Sequence, residues 1–526
     1  MSPDGGPHRP TVVVIGGGIA GLAAAWQLCG SEASGADVAA GATHAGGAAR
    51  AGWAGPAAGP ARPRVIVLEA GDRLGGKILT GSLAGTTLEL GPDAFLARVP
   101  FGVDLCRELG LRDELVSPAG GHAYLWTRGR LRRLPEGLVL GVPSDLGAVA
   151  RSGAVRPLAL ARAALDLVLP ATRMEGDRAV GEIVSARFGR GIQEWLVDPL
   201  VGGIHAGRSE LLSAAATAPQ LDAAARSGRS LLRALRAQAA AAQAAAAKVT
   251  GTAGAGPPPV FLTHPGGLSH VIATLAGRLA EAGVEIRTGT AVTGLSRSAR
   301  GWTVSLGAGG ANGDGAGGNS GRSGSATLAA DAVIVATPAP AAARLLGQVC
   351  PDAATELGRI EHASVAVVSL AYRREDVPGP LDGTGFLVPR PQGRLMTAAT
   401  WMSAKWSHVS APGQVFIRAS AGRHLDERAM NLSDGELVGA LHAELADAMG
   451  LRRPPGESLV TRWVGAFPQY AVGHLELVDR IEASVAGIPG LAVAGGAYRG
   501  VGIPACISSG RRAADHVTVR LAPASA

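Results

Sequence analysis

The stretch from Thr11 to Leu28 constrains the fold of this chain more than any other part of the sequence. The apolar run from Val12 to Ile15 is typical of a buried strand, and it leads directly into glycines at G-x-G-x-x-G spacing. An alanine-rich segment with high helix propensity follows. A strand, turn and helix of this kind presents backbone N–H groups and the positive end of a helix dipole to a pyrophosphate. The stretch therefore predicts a dinucleotide site made by Gly16, Gly17, Gly18, Ile19, Ala20 and Gly21.

A second apolar strand, from Val65 to Glu69, ends in an acid. Dinucleotide-binding folds place a carboxylate for the adenosine ribose at such a strand end, about 20 residues after the glycines. The separation is longer here because a Gly/Ala/Pro-rich stretch, residues 31–63, intervenes. Since lengthening a loop costs little free energy, we interpret 31–63 as an insertion and Glu69 as the ribose ligand.

Composition and charge narrow the classes of function. The chain has 526 residues, enough for two or three interleaved domains, and a net charge of +7. Its basic residues are scattered among acids and form no basic stripe. The sequence therefore does not indicate nucleic-acid binding. The four cysteines lie far apart and predict buried, reduced thiols and no metal site. The sequence shows neither a signal-peptide pattern nor a long apolar run, which favours a cytoplasmic protein and leaves peripheral membrane contact open.

Three motifs, GGGIAGL, LEAGDRLGGKI and ELGPDAFL, together resemble the FAD-binding half of the amine oxidase and protoporphyrinogen oxidase superfamily. In that superfamily the acid holds the ribose, and the GG-[KR] turn and the G-P-D segment pass along the pyrophosphate and the flavin. A later valine contacts the adenine through its backbone, and a C-terminal strand, turn and helix points at the flavin. The resemblance implies that FAD is bound by Glu69, Ala70, Arg73, Gly76, Lys77, Gly91, Pro92, Asp93, Ala94, Val292, Trp463, Val501, Gly502 and Ile503.

Other stretches resemble the porphyrinogen oxidases within this superfamily: GPDAFLAR, FPQYAVGH and AYRGVGIPACI. The stretch TWMSAKW is similar to the bacterial branch that acts on coproporphyrinogen III. The resemblance implies oxidation of coproporphyrinogen III to coproporphyrin III in haem biosynthesis, with six electrons passed in three steps and three O2 reduced to three H2O2. The chain departs from the pattern at Ala505, where the family often has Asp. An NAD(P)H-dependent reductase would need a second nucleotide-binding glycine motif, and the sequence contains none.

The residues that bind substrate are less clearly marked. Arg98 is our candidate for a propionate partner, because a guanidinium binds carboxylates with two hydrogen bonds. We expect Trp401 and Met402 to line the cavity and His474 to lie near the flavin, and no residue is identified as a catalytic base. Protoporphyrinogen IX oxidase, an amine or polyamine oxidase, and a flavin-free escort protein of the same fold remain alternatives.

We predict an α/β fold: a Rossmann-type FAD-binding domain with an interleaved α+β substrate-binding domain and a helical insertion. Both a monomer and a homodimer are compatible with the sequence. The expected segments are FAD-binding parts at 9–98, 261–345 (with a low-complexity loop at 307–325) and 476–526, a helical insertion at 99–260, and a substrate-binding antiparallel sheet at 346–475.

Overall fold

A computed structural model describes residues 9–30, 62–170, 175–249, 259–298, 301–307 and 326–521. The predicted insertion at 31–63 and the predicted loop at 307–325 lie almost entirely outside the described residues. The expected strands and helices on either side of them are present.

The strands are, in chain order, β1 (Thr11–Ile15), β2 (Arg64–Leu68), β3 (Thr80–Leu83), β4 (Thr86–Glu89), β5 (Phe95–Leu96), β6 (His122–Thr127), β7 (Arg130–Arg133), β8 (Leu138–Val139), β9 (Val142–Pro143), β10 (Phe261–Leu262), β11 (Glu285–Arg287), β12 (Val292–Ser298), β13 (Gly301–Leu306), β14 (Thr327–Ala330), β15 (Ala332–Val335), β16 (His362–Arg373), β17 (Gly383–Leu387), β18 (Met396–Trp401), β19 (Gln414–Ala421), β20 (Glu457–Pro468) and β21 (Leu491–Val493).

The α-helices are α1 (Ile19–Leu28), α2 (Pro100–Glu108), α3 (Leu146–Ser152), α4 (Pro157–Ala164), α5 (Val180–Phe188), α6 (Arg190–Ile192), α7 (Gly203–His205), α8 (Ala214–Thr217), α9 (Pro219–Ser227), α10 (Leu231–Val249), α11 (Leu268–Glu281), α12 (Ala339–Leu346), α13 (Pro351–Gly358), α14 (Met402–Lys405), α15 (Asp434–Met449), α16 (His474–Ala486) and α17 (Ile503–Leu521). A π-helical segment spans Gln193–Gly202, and short 3-10 turns occur at Arg112–Glu114, Leu165–Leu167, Arg374–Asp376, Arg390–Gln392 and Arg428–Asn431.

The first sheet has five parallel strands in the order β11-β2-β1-β15-β21. Val12 and Val14 of β1 pack into one apolar cluster with α1, α11 and α17, and Val13 and Ile15 pack into another with α12, α13 and α16. A strand buried on both faces needs a continuous apolar run, which explains the sequence of β1. The sheet is the predicted Rossmann-type unit.

The second sheet is mixed, with seven strands in the order β20-β16-β19-β18-β17-β6-β7. Leu437, Leu441 and Leu445 of α15 cover one of its faces. Strands β6 and β7 join this sheet although they lie in the range that we expected to be helical. Strand β6 pairs in parallel with β17, which is far away in the sequence, and β7 pairs with β6, so that no local pattern marks their place in the sheet.

The helical segments from α3 to α10 pack around their own apolar core. The buried Asp166 carboxylate bonds the Arg187 guanidinium and accepts hydrogen bonds from the N–H groups of Leu231 and Leu232 at the start of α10. Asp166 thereby connects α10 to the earlier helices of the insertion. None of the helices in the described ranges is long and apolar enough to cross a membrane.

The cysteines are all free thiols, as predicted. Cys106 and Cys350 are buried, whereas Cys29 and Cys506 are only partly buried. The expectation of full burial is therefore wrong for two of the four.

Candidate functional site

The glycine-rich turn after β1 forms an open cradle at the start of α1. Gly16 has a φ of +111°, and a Cβ on Gly21 would lie 1.9 Å from the carbonyl oxygen of Gly16. In contrast, a Cβ on Gly18 would have no neighbour within 4 Å. The first N–H groups of α1, including those of Ile19 and Ala20, have no acceptor within the helix. The open space beside Gly18 and these free donors fit a phosphate group.

Glu69 lies beside this turn, as the sequence predicted. One of its carboxylate oxygens accepts a hydrogen bond from the N–H of Gly17 at 2.7 Å, and the other accepts one from Gly71 at 2.8 Å. The N–H of Thr290 donates to the carbonyl oxygen of Glu69 at 2.8 Å, which brings the start of β12 and Val292 to the same edge of the sheet. Ala70 is exposed next to Glu69.

The second glycine turn packs on the first, since the N–H of Gly75 donates to the carbonyl oxygen of Gly17 at 2.8 Å. Arg73, which we expect to bind FAD, lies exposed at this turn. Its guanidinium donates to the carbonyl oxygens of Gly76 at 2.6 Å and Ile78 at 3.1 Å, so that it shapes the turn that carries Lys77.

Lys77, Gly91 and Trp463 meet at the far end of the cradle. A Cβ on Gly91 would lie 2.2 Å from the carbonyl oxygen of Lys77, and therefore only glycine allows this close approach. The Trp463 indole N–H donates to the carbonyl oxygen of Leu90 at 2.9 Å. Burial lowers the pKa of Lys77, whose charge also acts on Cys506. Three segments far apart in sequence are thus brought together, as the resemblance implied.

Asp93 is held by the substrate-side sheet. Its Oδ2 lies 2.7 Å from Lys405 Nζ and 3.5 Å from the Arg418 guanidinium, and it accepts a hydrogen bond from the Trp406 indole at 3.3 Å. The two cations keep the pKa of Asp93 well below its usual range. Arg418 also donates to the carbonyl oxygen of Gly91 at 3.1 Å. Pro92 and Ala94 are partly buried on either side of Asp93.

Sequence reasoning missed these partners of Asp93. Lys405 and Trp406 belong to the TWMSAKW stretch, which was noticed only for its resemblance. Their spacing from Asp93 in the chain contains no periodic signal, so that only the folded sheet reveals the pairing.

Glu89 is a buried carboxylate four residues before Asp93. It accepts hydrogen bonds from the N–H of Leu268 and from the Thr80 hydroxyl. Burial raises the pKa of Glu89 to about 7, and the negative charge of Asp93 adds to the shift. Met402, which we expected to line a cavity, borders a small pocket together with Glu89 and Asp93.

The C-terminal loop that leads to Val501 and Gly502 is organised by Tyr470. Its hydroxyl donates to the carbonyl oxygen of Gly496 at 2.7 Å and accepts a hydrogen bond from the N–H of Gly500 at 2.9 Å. This brings the loop to the N-terminus of α17, where Ile503 is the first residue.

His474 supports the same loop from behind. It is buried, its Nε2 lies 2.8 Å from the carbonyl oxygen of Tyr498, and its ring stacks on that of Tyr470 at 3.9 Å. These contacts already explain the presence of this histidine. We therefore reassign His474 from a substrate contact to a support of the loop.

Trp401 is also reassigned, because it packs in the core of the second sheet. Its ring contacts Tyr124 at 5.6 Å and Phe386 at 6.5 Å, on the face that α15 covers. Trp463 belongs to the apolar cluster on the other face. Side chains alternate between the two faces along β18, and Trp401 faces away from the cofactor side. Met402, the next residue, lies on the cofactor side. Arg98 lies exposed between β5 and α2.

We expected no metal site, but the fold brings together Glu114, His264 and His270, whose ligand atoms lie within 4.8 Å of one another. His264 Nδ1 accepts a hydrogen bond from the N–H of Gly266, so that Nε2 carries the proton and donates to Glu114 at 3.0 Å. Both ring nitrogens of His264 are thus used in hydrogen bonds within the protein, and these bonds explain why the three residues lie close together.

Comparison with known proteins agrees with this geometry. The family model for flavin containing amine oxidoreductases matches residues 19–518. The chain is 32% identical to the coproporphyrinogen III oxidase of Bacillus subtilis, covering 97% of both chains, and 33% identical to that of Mycobacterium leprae, covering 97% of this chain and 98% of the other. A crystal structure described as a protoporphyrinogen oxidase, from Exiguobacterium sp. 255-15, superposes with a TM-score of 0.77 at 28% identity, covering 98% of this chain and all of the other. The chain therefore belongs to the flavin containing amine oxidoreductases, which confirms the predicted α/β fold, FAD cofactor and oxidoreductase chemistry.

Proposed function

We propose that this protein is an FAD-dependent oxidase that converts coproporphyrinogen III to coproporphyrin III in haem biosynthesis. The observation that carries the proposal is the near full-length match to relatives that bear the name coproporphyrinogen III oxidase. The open space beside Gly18, just before α1, supports it, because a phosphate of the cofactor would fit there.

The adenosine and pyrophosphate would be held by the first glycine turn and its neighbours. Free N–H groups and the dipole of α1 stabilise negative charge beside Gly18. Glu69 would offer its remaining lone pairs to ribose hydroxyls, and the backbone at Val292 would contact the base. Arg73 keeps the second turn in shape and thereby positions Gly76.

The flavin ring would lie among Lys77, Gly91, Trp463 and the start of α17. When bound, FAD would supply the hydride acceptor, and O2 would accept the two electrons and be reduced to H2O2. The N-terminus of α17 after Gly502 carries a partial positive charge that favours negative charge at this end of the site. Arg418 donates to the carbonyl oxygen of Gly91 and, with Lys405, holds Asp93, so that this backbone would offer a preorganised wall to the cofactor.

Substrate recognition would depend on Arg98, whose exposed guanidinium can pair with a propionate, and on Met402. The exposed apolar side chains of Leu158, Leu165 and Val168 offer a surface for peripheral membrane contact by a cytoplasmic protein. A monomer and a homodimer both fit this proposal.

Protoporphyrinogen IX is the second candidate substrate, because the Exiguobacterium structure is described as a protoporphyrinogen oxidase. The two porphyrinogens differ in that protoporphyrinogen IX has two vinyl groups in place of two propionates. An amine oxidase is a more distant candidate. A flavin-free escort protein would bind no FAD at the glycine-rich turn before α1.

The test is a steady-state assay of the purified, FAD-loaded protein in air. We expect coproporphyrin fluorescence to rise faster than autoxidation while O2 is consumed and H2O2 released. If kcat/KM is larger for protoporphyrinogen IX than for coproporphyrinogen III, protoporphyrinogen IX is the substrate and the proposal is wrong on this point. Hydrogen peroxide from amines but not from porphyrinogens would replace the proposed class of reaction.

A further inference from the structure

The outer side of α4, and of the 3-10 turn that follows it, is entirely apolar. This helical segment runs from Pro157 to Leu167, and Val168 follows it. Leu158 is 82% exposed and Val168 is 65% exposed. Every exposed residue of the segment is apolar: Pro157, Leu158, Ala161, Ala164, Leu165, Leu167 and Val168. A surface helix normally presents polar side chains to water, so that this apolar face indicates a binding surface.

The charged side chains of the same segment point inward. Asp166 is fully buried and pairs with Arg187. Arg162 donates hydrogen bonds to the carbonyl oxygens of Ala186 and Arg187. Both charges of the segment are therefore used inside the helical insertion, which is the reverse of the usual arrangement. These contacts hold α4 in place, so that its apolar outer face belongs to the folded protein.

Arginines surround this apolar face. Arg156 is exposed at the N-cap of α4. At the other end, the exposed Arg229 donates hydrogen bonds to the carbonyl oxygens of Val168 and Leu169. Arg190 is exposed on α6, which packs beside α4. Within the described ranges none of these three arginines pairs with a carboxylate, so that their charges favour an anionic partner.

A lipid bilayer suits this face better than a protein partner does. The helical segment is about 17 Å long and about 10 Å wide, so that its face covers roughly 200 Å². A stable protein–protein interface buries about 800 Å² on each partner. The protruding side chain of Leu158 needs no matching pocket in a bilayer. A helix that lies in a bilayer surface needs only an apolar face and cations beside it, and this segment has both.

We propose that α4 docks this protein on an anionic lipid bilayer, with its exposed apolar side chains among the lipid chains and the three arginines at the phosphate groups. The inference rests on the peripheral membrane contact in the proposed function, and it adds the charge of the lipid and the residues that recognise it. The segment lies on the bilayer, because the 8 residues of α4 and the 3 of the 3-10 turn are far fewer than the about 20 that span it. Anionic headgroups attract the guanidinium groups, so that neutral lipid binds more weakly.

The experiment measures cosedimentation of the FAD-loaded protein with lipid vesicles in the absence of substrate. One set of vesicles is an equal mixture of phosphatidylglycerol and phosphatidylcholine, and the other is phosphatidylcholine alone. We expect binding to the mixed vesicles and much weaker binding to phosphatidylcholine. The difference should shrink at high salt, because salt screens the attraction between the arginines and the headgroups.

Two pairs of variants separate the apolar contact from the charge. Leu158→Gln should weaken binding to the mixed vesicles about tenfold, whereas Val519→Gln, at a 74% exposed position of α17, should not. Arg156→Gln should weaken this binding about fivefold, whereas Arg373→Gln, which removes an exposed charge at the end of β16, should not. All four positions are exposed, and we therefore expect unchanged melting temperatures.

Equal binding to both kinds of vesicle would overturn the inference, and so would equal losses in Leu158→Gln and Val519→Gln. A wild-type dimer that binds no vesicles and becomes a monomer in Leu158→Gln would also overturn it, because a second copy of the chain would then cover this face. A protein that binds the mixed vesicles but oxidises no porphyrinogen would refute the proposed reaction alone. An active oxidase that binds neither kind of vesicle would refute the lipid docking alone.

Discussion

Two carboxylates four residues apart, Glu89 and Asp93, show how the surroundings of a residue decide its charge. Both lie at the edge of the candidate site, but Asp93 faces two cations and stays ionised, whereas Glu89 is buried without a cation in contact, and its pKa is raised to about 7. The sequence ELGPD identifies both acids and says nothing of this difference.

We expect Glu89→Gln to change how stability depends on pH. The folded-state pKa of about 7 lies above the usual 4.5, so that folding takes up a proton between these values and stability falls as the pH rises through them. The variant has no carboxyl group at this position and therefore does not lose stability as the pH rises. At about pH 8 its free energy of unfolding should exceed that of wild type by an amount on the order of 3 kcal/mol, and near pH 5 the two should be similar. Denaturant unfolding at both pH values measures this, with the exposed Glu375→Gln as control. Parallel curves for the Glu89 variant and wild type would refute it.

Asp93→Asn should be strongly destabilising. The substitution leaves Lys405 and Arg418 without their counter-charge in a largely buried place, which typically costs about 3–5 kcal/mol. The control is Asp104→Asn, which removes an ion pair between neighbouring turns of α2 whose arginine is half exposed, and costs less than about 1 kcal/mol. Thermal unfolding of the FAD-loaded variants compares the two. Similar melting temperatures for both variants would contradict the role given to Asp93.

Elements with strong local patterns could be predicted from the sequence, whereas elements defined by distant partners could not. The run of apolar residues in β1 and the alanine-rich α1 carry their own signals, and the structure confirms both. Strands β6 and β7 have no comparable signal, because they are strands only by pairing with β17 and with each other. The same holds in the site. The glycines are marked by their spacing and Glu69 by its place at a strand end, but nothing local distinguishes Trp401, the last residue of β18, from Met402, the first residue of α14.

The turn between β1 and α1 allows folding and cofactor binding to be separated. Gly18→Ala should fold normally, since a Cβ there meets nothing, but should weaken FAD binding at least about tenfold by filling the space beside the helix N-terminus. Gly21→Ala should instead destabilise the protein, because its Cβ would strike the carbonyl oxygen of Gly16. Gly277→Ala in α11, which also meets nothing, is the control and should leave FAD binding unchanged. Flavin fluorescence titration and melting temperatures distinguish the three. Unchanged FAD affinity in Gly18→Ala would show that the cofactor lies elsewhere.

At the scale of the whole molecule, residues carried by two sheets make up the candidate FAD site. The Rossmann-type sheet contributes the glycine turns and Glu69, and the seven-stranded sheet contributes Trp463 and the cations that hold Asp93. Family membership follows from the match along residues 19–518. The choice of porphyrinogen remains part of the proposal, in which Arg98 would contact a propionate.

The most direct test is to mix the FAD-loaded protein with coproporphyrinogen III in the absence of O2 and to follow the visible absorbance of the oxidised flavin. The proposal predicts that this absorbance disappears as the porphyrinogen is oxidised, and returns with H2O2 release when O2 is admitted. A flavin that stays oxidised with coproporphyrinogen III, but is reduced by protoporphyrinogen IX or by an amine, would contradict it.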